Sequence, residues 1–214
     1  MNYLITAGPT REFIDDIRYV SNLSSGRMGY ELARAALAAG HRVVLVSGPT
    51  ALPAPDGAEL VPVVSALQMR EAVLKHAAES DIIIMCAAVA DYRPARRVSG
   101  KMKKGPDEIS LALVKNPDIL AELGRMKMEN AFGRSVFLVG FALEAENPLA
   151  NARGKLEGKN ADMIVLNLPA AIGADRSEVQ VLARSGETRK FGPAPKSAIA
   201  AELVKLIDAS SGRS

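Results

Sequence analysis

Asp81-Ile82-Ile83-Ile84-Met85-Cys86-Ala87-Ala88-Val89-Ala90 is the stretch on which the fold turns. A continuous apolar run ending in small residues reads as a strand covered on both faces, the habit of parallel sheets. Such a strand delivers the chain to the carboxyl edge of its sheet, where α/β proteins bind ligands. A short loop further on comes Gly100-Lys101-Met102-Lys103-Lys104-Gly105, lysines packed between glycines. Charge of that density needs an anion or full solvation, and at the carboxyl edge of a sheet the anion expected is a triphosphate.

Outward from this run, strands and helices alternate. Tyr3–Ala7 is a short buried strand ended by Gly8-Pro9-Thr10. After a polar loop, Ser25-Gly26 leads into an alanine-rich helix over Arg27–Ala39 closed by Gly40. Arg42–Val46 and Leu60–Val64 read as strands, Ala66–Ala78 as a helix, and Ile82–Cys86 as the fourth strand. Ile109–Val114 alternates like a half-exposed strand, and Asn116-Pro117 opens a helix to about Met126. Val136–Gly140 and Met163–Leu166 are strands around a helix over Pro148–Gly158. Glu178–Ala183 and Thr188–Phe191 form a hairpin about Ser185-Gly186, and Ala198–Ala209 is a terminal amphipathic helix. The expected architecture is a three-layer α/β/α Rossmann-like domain, mainly parallel, with a C-terminal hairpin, occupying residues 1–214 as one domain.

Composition narrows the classes. The chain has 214 residues, 48% hydrophobic and 24% charged, enough for a full core. No run approaches a membrane span, and Met1-Asn2-Tyr3-Leu4 passes straight into a strand, leaving no room for a signal peptide. With Cys86 the sole cysteine, no internal disulfide forms, and its apolar neighbours make it a buried structural thiol. A cytoplasmic protein is expected. A net charge of +3, 4% aromatic residues and no tryptophan leave little material for stacking nucleic-acid bases. His41 and His76 lie far apart without cysteine partners at ligand spacing, so no metal cage is expected and no metal ligands are assigned.

Familiar nucleotide motifs do not fit. A nicotinamide-binding protein needs G-x-G-x-x-G at the first turn and an acidic residue ending the second strand. Here the turn is Gly8-Pro9-Thr10, the helix waits until Arg27, and the second strand ends Val46-Ser47-Gly48. Gly26 and Gly29 satisfy half the fingerprint. No G-x-x-x-x-G-K-[ST] occurs either.

What does fit is an ordered set of blocks. Ile5-Thr-Ala-Gly-Pro-Thr-Arg-Glu12 precedes Asp16-Ile-Arg18-Tyr-Val-Ser-Asn22-Leu-Ser-Ser-Gly-Arg-Met-Gly29. Ala87-Ala-Val-Ala-Asp91-Tyr-Arg-Pro94 and Lys101-Met-Lys-Lys104 follow, then Leu113-Val-Lys-Asn-Pro-Asp-Ile-Leu120. Val139-Gly-Phe141-Ala142 with Glu144, and Lys155 with Lys159-Asn160-Ala-Asp162, complete them. Together they resemble phosphopantothenoylcysteine synthetase, the ligase of coenzyme A biosynthesis. The resemblance implies a two-step ligation of 4′-phosphopantothenate and cysteine through an acyl nucleotide. Bacterial members of the family typically use CTP and eukaryotic ones ATP, with Mg2+ accompanying the triphosphate. It also implies a homodimer with the site completed near the interface, for which the strand at Ile109–Val114 is a candidate. A flavin-dependent decarboxylase, often fused N-terminally in bacterial members, is the implied partner; no flavin is expected in this chain.

Roles follow from the same resemblance. Lys101 matches the activating lysine on the triphosphate, with Lys103 and Lys104 steering, on a glycine-flanked flap suited to excluding water. Asn22 matches the asparagine that handles the acyl intermediate, an uncharged group able both to donate and to accept. Arg18 is a substrate-contacting or loop-holding charge. Ser24, Ser25 and Gly26 offer hydroxyls and amides to a phosphate at the start of a helix. Backbone at Ala87 and Ala88 reads the base edge, and Asp91 serves magnesium or a ribose hydroxyl. Pro117, Asp118, Ile119 and Leu120 supply a helix start for phosphate contacts. Phe141 matches a nucleotide-contacting aromatic, and Lys155 and Lys159, spaced i, i+4, join the nucleotide site. The chain departs from the pattern at Leu143-Glu144-Ala145 and at Asn167-Leu168-Pro169-Ala170, which touches the base-side pocket and a late loop.

Overall fold

The computed structural model describes residues 1–212 except 104, 106, 107, 145 and 168–175. In chain order the elements are β1 (Asn2–Ala7), β2 (Arg11–Phe13), β3 (Tyr19–Ser21), α1 (Arg27–Ala38), β4 (Arg42–Ser47) and β5 (Glu59–Pro62). Next come α2 (Ala66–Ala77), β6 (Ile82–Met85), β7 (Tyr92–Pro94), β8 (Leu113–Lys115), α3 (Ile119–Met128) and β9 (Phe137–Leu143). α4 (Pro148–Gly158), β10 (Met163–Asn167), β11 (Arg176–Ala183), β12 (Thr188–Pro195) and α5 (Lys196–Ser211) complete the chain.

An eight-stranded sheet runs β12-β11-β10-β9-β6-β1-β4-β5. It is parallel from β10 through β5, while β11 and β12 close it as an antiparallel hairpin. The apolar run of the sequence sits where expected: every residue of β6 is buried, with Ile83 level with Leu4 of β1 and Leu138 of β9. Because β-strand side chains alternate between faces, the sheet divides the core in two. One half joins Tyr3, Ile5 and Ile84 to α1 and α5; the other joins Leu4, Ile83 and Leu138 to α2, α3 and α4. The three-layer expectation and the C-terminal hairpin are borne out.

Three local expectations need correction. The polar loop after β1 contains a hairpin, β2 against β3, whose strands are too short to show a period. Of Ile109–Val114 only Leu113 and Val114 are in a strand, β8, which pairs with β7 apart from the main sheet; alternation marks extended chain but does not supply a partner. The helix expected from Pro117 starts at Ile119, because the Asp118 carboxylate accepts from the Ala121 amide and so caps it there.

A cleft at the switch point of the sheet

The chain leaves β1 toward β4 on one side and returns to β6 on the other, so the strand order reverses beside β1. Rossmann-like sheets open a crevice at the carboxyl end of that point. Here the crevice is a cleft of about 800 Å³ between α1, the loop after β6, the start of α3 and the end of β9.

Its walls are tied together through buried hydroxyls. Thr6, fully buried at the end of β1, accepts from the amides of Cys86 (3.0 Å) and Ala87 (3.1 Å). Thr10, also fully buried, accepts from Ala90 (3.0 Å). The Asn22 amide donates to the carbonyls of Ala88 and Val89, each at 3.1 Å, strapping the segment before α1 onto the same loop. Buried Asn116 holds the loop's far end, donating to the Ala90 carbonyl at 2.8 Å while its Oδ1 accepts from Arg93.

Close approach of α1 to β1 requires glycine. A Cβ on Gly29 would lie 2.6 Å from that of Ala7, and one on Gly26, at φ 77°, would lie 2.7 Å from Thr50. Gly29 thus does what the last glycine of a dinucleotide fingerprint does, letting a helix press against a strand, while Gly26 lets the helix start close on the loops after β1 and β4. The N-cap of α1 is Gly26 itself, and the first turn carries no acidic residue.

Most of the residues singled out from the sequence line this cleft: Asn22, Ser24, Ser25 and Gly26 on one wall, Ala87, Ala88 and Asp91 on the next. Pro117, Asp118, Ile119, Leu120, Phe141, Lys155 and Lys159 form the remainder. Lys155 pairs with Glu144 at 2.6 Å, and Lys159, the C-cap of α4, pairs with Asp118 at 3.0 Å. The hydrogen bond from Lys155 holds the Glu144 carboxyl below its ordinary range. Burial pushes the Asp118 carboxyl up, but the Ala121 amide and Lys159 outweigh it and leave it lowered. Phe141 is half-buried and packs against the α1 side of the core as well as facing the cleft.

Two expected residues lie elsewhere. Lys101 is exposed and does not line the cleft. Arg18 is engaged with Asp15 (2.6 Å) and the Met102 carbonyl (2.7 Å), the loop-holding alternative. Lys104 falls outside the described residues, as do Ala145 and the departures at Leu168, Pro169 and Ala170.

Ser177 and Lys196, which the sequence did not single out, also line the cleft, as do Cys86 and Asn167. Asn167 Oδ1 and Ser177 Oγ are buried without a hydrogen-bond partner among the described residues. Burial pushes the Cys86 thiol up to about 12 against a smaller pull from Lys196, so it is a neutral wall group. Only a position facing a cleft distinguishes such polar residues, and no local pattern announces it.

The fold and the place of this cleft are those of Rossmann-like α/β proteins, which bind ligands at the switch point of the sheet. The chain belongs to the family described as DNA/pantothenate metabolism flavoprotein C-terminal domain, whose model matches residues 1–210. It is 42% identical over 210 residues to the coenzyme A biosynthesis bifunctional protein CoaBC of Haemophilus influenzae, covering 97% of this chain and 51% of the relative. It is 45% identical over 211 residues to CoaBC of Bacillus subtilis, covering 96% of this chain and 50% of the relative. The chain thus spans about half the length of these curated relatives. Among solved structures, the C-terminal domain of a CoaBC matches with a TM-score of 0.83 and 40% identity, over 97% of this chain and 94% of that one. The synthetase resemblance of the motifs is borne out at the level of family and fold.

Proposed function

We propose that the protein is a phosphopantothenate–cysteine ligase of coenzyme A biosynthesis. The carboxylate of 4′-phosphopantothenate attacks the α-phosphate of a nucleoside triphosphate, forming an acyl nucleotide and releasing pyrophosphate. The amine of cysteine then attacks the acyl carbon, forming the amide and releasing the nucleoside monophosphate. The observation that carries this is the convergence of Asn22, the Ala87-Ala88 backbone, Asp91, Phe141, Lys155 and Lys159 on one cleft at the switch point.

Phosphoryl-type attack needs charge neutralisation and positioning more than a covalent nucleophile, and the cleft offers those. Lys155 and Lys159 take the triphosphate, with Lys101 supplied by its flap. Asn22 and the neighbouring loop hold the acyl group, and Ser24, Ser25 and Gly26 serve an anionic end of the substrate at the start of α1. Ser177 Oγ, 4% exposed and without a hydrogen-bond partner among the described residues, fits a ligand oxygen in the cleft. Among the described residues no cluster of three or more His, Cys, Asp or Glu gathers to hold a metal. Magnesium therefore fits as an ion carried mainly by phosphates, the usual habit of this cation, with Asp91 as the protein's carboxylate. CTP is favoured over ATP, in keeping with the bacterial relatives.

A homodimer accompanies this function. Tyr19 and Val20 on β3, Tyr92 on β7 and Leu113 and Val114 on β8 are exposed apolar side chains on two hairpins that touch through β2 and β7. A decarboxylase, fused or separate, is the natural neighbour, since the relatives are named as bifunctional proteins. No helix among the described residues is long and apolar enough to cross a membrane, in keeping with a cytoplasmic site of action.

The test is pyrophosphate release from the purified chain with magnesium, 4′-phosphopantothenate and cysteine, run in parallel with CTP and ATP. Release that depends on phosphopantothenate and is faster with CTP is expected. Absence of release with either nucleotide from folded protein would refute the ligase.

A further inference from the structure

Lys101 is held from both sides by one short turn. On one side Gly100 donates its amide to Asp16 Oδ2 at 2.7 Å, and its carbonyl accepts from the Asp16 amide at 3.3 Å. On the other, Met102 donates its amide to Asp15 Oδ2 at 3.0 Å, and its carbonyl accepts from Arg18 Nη2 at 2.7 Å. Gly100 and Met102 are more than 80 residues from the turn in sequence, so these bonds fold residues 100–102 onto the β2–β3 turn.

Asp15 is the centre of the arrangement. It is fully buried although its turn lies at the surface. A buried carboxylate must find partners, and this one is fully supplied. Its Oδ1 accepts from the amides of Ile17 (2.8 Å) and Arg18 (2.7 Å), and its Oδ2 from Arg18 Nε (2.9 Å) and Nη2 (2.6 Å) as well as from Met102. Asp16 is in turn paired with Arg97 at 2.9 Å. Because each carboxylate has its own arginine, neither is left over to capture the Lys101 ammonium.

We propose that Asp15, together with Asp16 and Arg18, is a positioning device for Lys101. The turn fixes the backbone on either side of that lysine and so sets where its side chain starts from when an anion arrives. The glycine at 100, at φ 72°, would otherwise leave the segment free to wander. The clamp rests on the assignment of Lys101 to the triphosphate made under the proposed function.

The experiment compares Asp15→Asn and Asp16→Asn in the wild-type and Lys101→Gln backgrounds of the whole chain. Phosphopantothenate-dependent pyrophosphate release from CTP is read at steady state with substrate in excess, and hydrogen exchange is followed in a peptide spanning Gly100 to Met102. Asp15→Asn is expected to speed exchange in that segment and in its own turn, but not in the main sheet, and to lower kcat roughly 10- to 100-fold, as misplaced catalytic groups do. The nucleotide KM should change less than about threefold, because what is lost is positioning in the reaction step. In the Lys101→Gln background Asp15→Asn should lower the rate no further, the signature of two residues acting as one. Equal fold-losses in both backgrounds, or faster exchange with unchanged turnover, would overturn the proposal. Should Asp15→Asn fail to fold, Asp16→Asn carries the same comparison, since its side chain is 47% exposed and its folding is not at stake. A wild-type chain that releases no pyrophosphate would sink the triphosphate assignment instead. The exchange arm then decides the clamp alone, and unchanged exchange in both variants would remove it.

Discussion

Thr6→Val changes one atom position at the base of the cleft and nearly nothing in volume. The side chain is fully buried, and its hydroxyl accepts from the Cys86 and Ala87 amides at 3.0 and 3.1 Å. A methyl group there strands both donors. Each unsatisfied buried amide costs about 1–3 kcal/mol. Burying a methyl in place of the hydroxyl returns about 0.8 kcal/mol. The contact of the hydroxyl with Met85 Sδ, at 4.0 Å, is too long to matter. A net loss of about 3 kcal/mol follows, a large share of the 5–15 kcal/mol typical of a domain. Urea denaturation should show it as a midpoint lowered by about 1–2 M. Thr6→Ser is the discriminating partner: it keeps the acceptor and loses only a methyl, about 1 kcal/mol. Serine should therefore be the more stable variant although it buries less apolar surface. Valine as stable as serine, or more so, would refute the role of the hydroxyl and with it the account of how the loop after β6 is held.

Gly29→Ala should push the start of α1 off β1, since the new Cβ would meet that of Ala7 at 2.6 Å. Overpacking of about 1–3 kcal/mol is partly offset by about 1 kcal/mol of helix propensity, so about 0–2 kcal/mol of stability is lost while the KM for phosphopantothenate rises; an unchanged KM would count against α1 as part of the site. Asn22→Asp removes the donor shared by the Ala88 and Val89 carbonyls and sets a carboxylate against them. Rapid-quench analysis should show acyl nucleotide forming while its consumption by cysteine slows, and equal slowing of both steps would contradict the role given to Asn22. Burial pushes the Asp15 carboxyl up, but the amides of Ile17, Arg18 and Met102 and the Arg18 guanidinium bring it well below its usual value. Its stabilising contribution is thus present above the unfolded carboxyl's value, near pH 4, and is lost only as pH falls through the lowered folded value. Exchange protection at Gly100 to Met102 should accordingly persist from pH 8 down to about pH 5, and its loss within that window would be inconsistent with an ionised clamp.

What could be read from the sequence was whatever depends on neighbours in sequence. Ile82–Met85 announces a strand of a parallel sheet by its composition alone, and α1 and α4 by their propensity and their Gly and Pro boundaries. The cleft residues were legible through ordered motifs, because a motif carries its partners with it. Partnerships across the fold were not. Nothing in the sequence singles out Asp15, yet it is fully buried, with Met102 and Arg18 meeting it from across the fold and from its own turn. Lys155 and Lys159, which their i, i+4 spacing puts on one helix face and the family resemblance makes nucleotide contacts, each already hold a carboxylate, Glu144 and Asp118.

That last difference changes the energetics of the proposed reaction. A triphosphate entering the cleft meets lysines that are already neutralised, so it binds by exchanging partners. The favourable term is then the difference between a multiply charged phosphate and a single carboxylate, which is smaller than the full attraction of a bare lysine. Such an exchange favours polyanions over monoanions, because a lone carboxylate or chloride gains nothing by replacing Glu144 or Asp118. Lys101 stands apart in this respect. It is exposed and belongs to no ion pair identified among the described residues, while its backbone is fixed by the turn at Asp15 and Asp16. The paired lysines thus suit recognition of the triphosphate, and the unpaired one, delivered on its clamp, suits the step in which new charge develops at phosphorus.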